Sequence, residues 1–179
     1  MNFQEYVEMH NSCFASIDQD SLNEVVTLFQ KTIENNGIIF TLGNGGSAST
    51  SSHAACDFSK GMSLKLDRQV RSICISDALP TLTAWSNDFD YLTAYENMVK
   101  NLVSPNDILF VVSGSGNSKN VVNAVLAAKD LNVRTVGLLG FDGGVLINEV
   151  DFPIHVKCND MQVIENLQLT LIHWLLISI

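Results

Sequence analysis

The chain has 179 residues, enough to build a sizeable core, and its 46% hydrophobic and 16% charged content excludes a disordered polymer. A formal net charge of −9 sets it against nucleic-acid backbones, so no nucleic-acid partner is expected and any anionic ligand must be held by local donors. The four cysteines (Cys13, Cys56, Cys74 and Cys158) form no CxxC or zinc-ribbon spacing and read as buried free thiols; with no secretory signal at the N-terminus and no apolar run long enough to span a bilayer, the expectation is a cytoplasmic protein with no membrane partner.

Residues Asn2–Ile17 and Ser21–Asn35 read as amphipathic helices. In the second, Leu22, Val25, Val26, Leu28, Phe29 and Ile33 follow the 3.6-residue period, Asp20 or Ser21 can cap the start, and Asn36–Gly37 ends it. Ile38–Leu42 is a short apolar strand, followed by a glycine loop, Gly43–Ser47, and a helix over Ala48–Phe58. A strand over Val70–Ser76 and helices over Ala78–Trp85 and Tyr91–Leu102 come next. Ile108–Val112 is a strand that runs into a second glycine loop, Ser113–Ser118, and a helix over Ser118–Leu131 ends near Asn132. The strand Val133–Leu139, the turn Gly140–Gly144, the strand Phe152–Val156 and a long helix over Met161–Ile179 complete the chain.

Strands alternating with helices predict βαβ units: an α/β fold of three αβα layers around a five-stranded, mostly parallel sheet. Linkers and tandem repeats are absent from the pattern, so residues 1–179 are expected to form a single domain, with 1–36 as a helical extension and 37–179 as the α/β core.

Both glycine loops fall where a strand hands over to a helix, the place where open parallel sheets bind ligands. Helix N-termini offer free N–H groups and a positive dipole end, glycines let an anion approach the backbone, and serine hydroxyls add donors. Neither loop matches GxGxxG, and no Gly-Lys-Ser/Thr forms a nucleotide P-loop, so no nucleotide cofactor is expected. The implied ligand carries a phosphate group.

On the adjoining helix, His53 and Asp57 are four residues apart and share a face; on the last helix, Glu165 and His173 are eight apart and nearly share one. Two imidazoles and two carboxylates make a set of four ligands suited to zinc.

The ordered segments TLGNGGSASTSSHAACDF, ICISD, SNDFDY, VVSGSGNSKNVVNAVLAAK and LLGFDGG, with LIHWL on the last helix, resemble sugar isomerase (SIS) domains over about residues 20–179. More narrowly, they resemble the phosphoheptose isomerase group, which converts sedoheptulose 7-phosphate to D-glycero-D-manno-heptose 7-phosphate. The resemblance implies a homotetramer with active sites at subunit boundaries and one zinc ion per site. It places the phosphate on Ser113, Gly114, Ser115 and Ser118, and the sugar on Asn44, Gly45, Gly46, Ser47, Asn87 and Asp88. It puts His53, Asp57, Glu165 and His173 in the metal and catalytic cluster, with Asp57 or Glu165 as base and His173 as its acid partner. Three residues depart from the group's usual pattern: Gly114 replaces a threonine, Asp57 a glutamate and Glu165 a glutamine. Two further readings share the resemblance, a non-catalytic sugar-phosphate sensor or adaptor and an isomerase of another phosphosugar in surface-polysaccharide synthesis. His173 favours the enzyme, because such adaptors lack this histidine.

Among the remaining residues, His10 reads as a surface group, His155 as structural, Asp142 as a turn residue, and Trp85 and Trp174 as packing residues.

Overall fold

A computed structural model describes the whole chain, Met1–Ile179. The elements are α1 (Phe3–Ala15), α2 (Gln19–Glu34), β1 (Ile38–Leu42), α3 (Gly46–Cys56), a π-helical turn (Asp57–Gly61), α4 (Met62–Leu66), β2 (Arg71–Cys74), a 3₁₀ turn (Ile75–Asp77), α5 (Leu79–Asp88), α6 (Tyr91–Leu102), β3 (Ile108–Ser113), α7 (Lys119–Asp130), β4 (Arg134–Leu139), α8 (Leu146–Glu149), β5 (Phe152–His155) and α9 (Met161–Ser178).

The five strands form one sheet in the order β2-β1-β3-β4-β5, and every pairing is parallel. From β1 the chain crosses outward to β2, then returns to place β3 on the other side of β1. The order therefore reverses between β1 and β3, which pair with Leu42 opposite Val111. Such a reversal opens a crevice at the carboxyl ends of the two strands, because their following helices pass to opposite faces of the sheet. The two strands that flank it are the two that carry the glycine loops.

Side-chain alternation distributes β3 between two cores. Ile108, Phe110 and Val112 pack with Val25, Phe29, Phe58, Ile164, Leu171 and Leu175 on one face. Leu109 and Val111 pack with Tyr95, Met98, Val121, Val125 and Leu146 on the other. This doubly covered strand is why the sequence reads as a continuous apolar run rather than an alternating one. The edge strand β2 behaves differently: Arg71 and Ile73 are exposed, and it stops at Cys74, short of the predicted Ser76, which instead belongs to the 3₁₀ turn.

Helix α2 contributes Leu22, Val25, Phe29 and Ile33 to the core, whereas α1 buries no residue. The latter is started by a capping box between Asn2 and Glu5, packs Tyr6, Met9 and Cys13 against the core, and is tied to α9 by the Tyr6 hydroxyl and Asn166. Asn36 and Asn132 take positive φ where α2 and α7 end, as expected for residues that stop a helix. Cys74 and Cys158 are buried, as the sequence suggested, but Cys56 is exposed and Cys13 only half-buried. Asp142 accepts a bond from the Gly144 N–H and is a turn residue, and His155, at the end of β5, holds the Phe141 carbonyl at 2.9 Å and is structural. No helix is long and apolar enough to cross a membrane.

Candidate active site

The first loop leaves β1 at Gly43. The Gly43 carbonyl accepts from Tyr95 Oη at 2.8 Å and Ser76 Oγ at 3.0 Å, and its N–H donates to Ser76 Oγ at 3.1 Å. Burial pushes the Tyr95 phenol above its ordinary pKa, partly opposed by its bond with Ser76. Gly45 follows at φ 53°, a conformation natural to glycine, and swings the chain into α3.

Asn44 is expected to meet the sugar, but its amide is already engaged. Its Nδ2 donates to Asn120 Oδ1 at 2.8 Å, while its Oδ1 accepts from Asn120 Nδ2 at 3.0 Å and from Tyr91 Oη at 2.7 Å. Asn120 is buried on the first turn of α7, so this reciprocal amide pair bolts the first loop to the helix that follows the second. The Gly46 and Ser47 N–H groups open α3, where a helix offers them no intrahelical acceptor.

The second loop leaves β3 at Ser113, whose Oγ accepts from the Gly116 N–H at 3.1 Å. Gly116 has φ 63°, and a β-carbon there would lie 1.9 Å from the Gly143 carbonyl oxygen, so only glycine fits. The loop is braced against the Gly140–Gly144 turn by Asn117 Oδ1, which accepts from the Val145 N–H at 3.0 Å. Ser115 Oγ accepts from the Asn117 N–H, and Ser118 starts α7 without a side-chain capping bond, leaving its hydroxyl free to donate. The absence of a side chain at Gly114 has a structural reason. A β-carbon there would lie 2.6 Å from Met161 Sδ, so the thioether occupies the space a threonine would need.

His53 on α3, Asp57 at the head of the π-helical turn and His173 on α9 converge. The two imidazole Nε2 atoms are 3.1 Å apart, and Asp57 Oδ2 lies 3.2 Å from that of His53 and 3.6 Å from that of His173. A tetrahedral zinc ion with bonds of about 2.0–2.1 Å needs donor separations of about 3.3–3.4 Å. The three atoms therefore fit three corners of such a site, and two imidazoles with one carboxylate are a donor set zinc favours. The π-helical turn delivers the short Asp57 side chain. Phe58, fully buried, packs edge-on against Phe29 and Phe110 at centroid distances of 5.2 and 5.9 Å, and Asp57 projects from the widened turn beside it. Such bulges commonly mark functional positions.

The expected fourth ligand, Glu165, is not in this cluster. Its carboxylate packs on Gly46: a β-carbon at 46 would lie 2.7 Å from Glu165 Oε1. Eight helical residues separate Glu165 from His173, a rise of about 12 Å, so sharing a face does not bring them to one point. Nor are Asn87 and Asp88 drawn into either loop; they end α5, exposed, with Asn87 Nδ2 donating to Asp88 Oδ1 at 2.9 Å. His10, expected on the surface, is half-buried and lines a groove with Phe3, Tyr6, Asn166 and His173. Asn120, Tyr91, Tyr95 and Ser76 were not singled out from the sequence. Asn120 alone carried a signal, as a polar residue leading the apolar face of α7.

A glycine loop on each side of the sheet reversal, with an imidazole–carboxylate cluster on the adjoining helices, is the arrangement of a sugar-phosphate-binding domain. Residues 2–140 match the SIS domain, and the chain belongs to this family. Within it, the chain is similar to phosphoheptose isomerases: 33% identical over 170 residues to that of Geotalea daltonii (93% of this chain, 88% of the relative). With the enzyme of Helicobacter pylori it shares 37% identity over 156 residues (87% and 80%). The solved structure of phosphoheptose isomerase from Neisseria gonorrhoeae superposes with a TM-score of 0.88 at 27% identity, covering 97% of this chain and 92% of that one.

Proposed function

We propose that the chain is an aldose–ketose isomerase that converts sedoheptulose 7-phosphate to D-glycero-D-manno-heptose 7-phosphate through an enediolate. The observation that carries this reading is the convergence of His53, Asp57 and His173 on the helices beside the two strand-end loops. The kinship with phosphoheptose isomerases supports the substrate.

In this reading Ser113, Ser115 and Ser118, with the N–H groups that open α7, hold the phosphate. Gly45, Gly46 and Ser47 bind the sugar's hydroxyls through the backbone, and Asn44 keeps that backbone in place. Asn87 and Asp88 reach the sugar only from a neighbouring copy or after rearrangement, which fits a homotetramer with sites at subunit boundaries. The protein works in the cytoplasm, where sugar phosphates are made.

His53, Asp57 and His173 would hold one zinc ion, which when bound supplies a Lewis acid for the ketose carbonyl and the charge that develops on its oxygen. Asp57 is the base: it takes a proton from C1, and C1–C2 becomes the double bond of the enediolate. His173, with Nε2 3.6 Å from Asp57 Oδ2, would hold the ion through that nitrogen and keep the carboxylate in place, while the hydroxyl proton passes between the two sugar oxygens. Return of a proton to C2 gives the aldose. Asp57 is favoured over Glu165 because it stands in the cluster with the two imidazoles.

The test is to incubate the purified protein with sedoheptulose 7-phosphate, with and without added zinc, and follow the aldose by NMR. Tight binding without turnover at high protein concentration would replace the enzyme with a sugar-phosphate sensor.

A further inference from the structure

We infer that Tyr91 is a positioning residue for the first loop: its hydroxyl donates to Asn44 Oδ1 and fixes which way the Asn44 amide faces, leaving one N–H as what that side chain offers a ligand. The inference rests on the functional reading above, in which the first loop meets the sugar. It gives a role to a residue outside both glycine loops and outside the metal cluster.

An amide side chain carries an oxygen on one side and an NH₂ on the other, and either is able to face a polar neighbour. Here the choice is made by a backbone group that can only donate. The Val121 N–H, shared with the Ser118 carbonyl, donates to Asn120 Oδ1 at 3.0 Å, so the Asn120 oxygen and not its nitrogen takes that place. Asn44 Nδ2 is then the group that donates to the same oxygen, at 2.8 Å, and Asn120 Nδ2 the one that donates to Asn44 Oδ1, at 3.0 Å. It follows that in the contact of Tyr91 Oη with Asn44 Oδ1, at 2.7 Å, the phenol is the donor. Both acceptor positions of the Asn44 oxygen are filled, and one of its two amide hydrogens is used. The other hydrogen remains, on a side chain that is half-buried and so open to a ligand on the loop.

Tyr91 stands on a frame able to hold its hydroxyl still. It opens α6, where Asp90 caps the helix by accepting from the Thr93 N–H at 2.7 Å, and Asn123 on α7 donates to the Leu92 carbonyl at 3.0 Å. One turn further on, Tyr95 holds the Gly43 carbonyl, so two phenols of one helix grip successive residues of the loop. Their burial separates their roles. Tyr95 is 2% exposed and belongs to the core, whereas Tyr91 is 47% exposed. Loss of the Tyr91 hydroxyl is therefore felt at the loop and little in the stability of the fold.

Steady-state kinetics and calorimetric titration with sedoheptulose 7-phosphate, alongside urea unfolding, test this. Tyr91→Phe keeps the ring and removes only the hydroxyl. It should raise KM and Kd about three- to tenfold, the size of one hydrogen bond, with kcat within about twofold of the native value and the unfolding midpoint nearly unchanged. The second arm adds Asn120→Ala, which removes the bonds that set the direction of the amide. In that background the amide is already free to turn, so Tyr91→Phe should raise KM no more than about twofold further. If Tyr91→Phe lowers the midpoint and leaves KM unchanged, Tyr91 serves the fold alone and the inference is overturned. It is equally overturned if Tyr91→Phe raises KM by the same factor with and without Asn120, because Tyr91 then does not act through the amide. In both cases the isomerase reading stands. If the native chain neither binds nor turns over sedoheptulose 7-phosphate, the functional reading falls and takes the inference with it.

Discussion

Replacing Phe58 tests whether the π-helical turn aims Asp57. Phe58 is fully buried and makes two edge-on ring contacts, at 84° to Phe29 and 86° to Phe110. Phe58→Leu keeps most of the volume and removes both aromatic pairs, each contributing about 0.5–1.5 kcal/mol, so the loss should be about 1–3 kcal/mol. Phe58→Ala would add a cavity and bring the loss to about 3–5 kcal/mol, a large share of a domain's stability, so the leucine variant is the useful one. The functional consequence follows from geometry. In the π-helical turn the Met62 N–H bonds to the Asp57 carbonyl, one residue further than in an α-helix, and the ring of Phe58 wedges that turn against the sheet. Without the wedge the turn is free to tighten, and the Asp57 carboxylate leaves the 3.2 and 3.6 Å positions it holds beside the two imidazoles. Urea unfolding gives the stability, and competition with a chromophoric chelator gives the zinc affinity. Zinc should bind about tenfold more weakly in Phe58→Leu, comparable to losing a group that orients a metal ligand. A stability loss of the expected size with zinc affinity unchanged would show that the wedge supports the core and does not position Asp57.

Three further outcomes are expected. Asp57→Asn should lower turnover by about 10²–10⁴-fold while binding of the sugar phosphate persists, and Asp57→Glu should recover part of it; NMR of the product and calorimetry separate the two. Asn120→Ala leaves the Asn44 amide with Tyr91 alone, so stability should fall by about 1–3 kcal/mol, with a rise in KM larger than the fall in kcat, read from steady-state kinetics. Tyr95 is held neutral by burial, its pKa raised in the folded chain; above about pH 10 the unfolded chain therefore releases a proton the folded chain retains, and stability falls as pH rises. Tyr95→Phe should lose about 1–2 kcal/mol near neutrality, and its deficit against the native chain should shrink in melts taken above pH 10, because the phenol no longer opposes folding there.

The parts of the fold that were legible share one cause. β1, β3 and β4 are covered on both faces, so burial leaves continuous apolar runs whose ends coincide with glycine loops. The exposed edge strand β2 has no such signature, and its end was misplaced accordingly. The π-helical turn left no trace because Asp-Phe-Ser-Lys-Gly continues a helical pattern without a breaker until Gly61. Helical periodicity also misled: it reports the face a residue shares, and Glu165 shares one with His173 while sitting more than two turns away. The Met161 thioether filling the place of a side chain at Gly114, and the Asn44–Asn120 pair, join residues dozens of positions apart, and only the closed fold brings such partners together.

Asp57 stands with the imidazoles and Glu165 does not, and that separation bears on the chemistry. Had Asp57 and Glu165 both joined the imidazoles, a divalent ion would be neutralised outright, and a neutral centre polarises a carbonyl weakly. With Asp57 alone, two imidazoles and one carboxylate would leave a bound zinc ion a net positive charge. The Glu165 carboxylate lies instead against Gly46, at the first loop. Glu165→Gln removes a charge at the first loop and none from the cluster, so zinc should be held as tightly as in the native chain. Metal analysis of that variant decides the point: zinc content equal to the native chain's keeps Glu165 out of the ligand set, and a marked loss places it there.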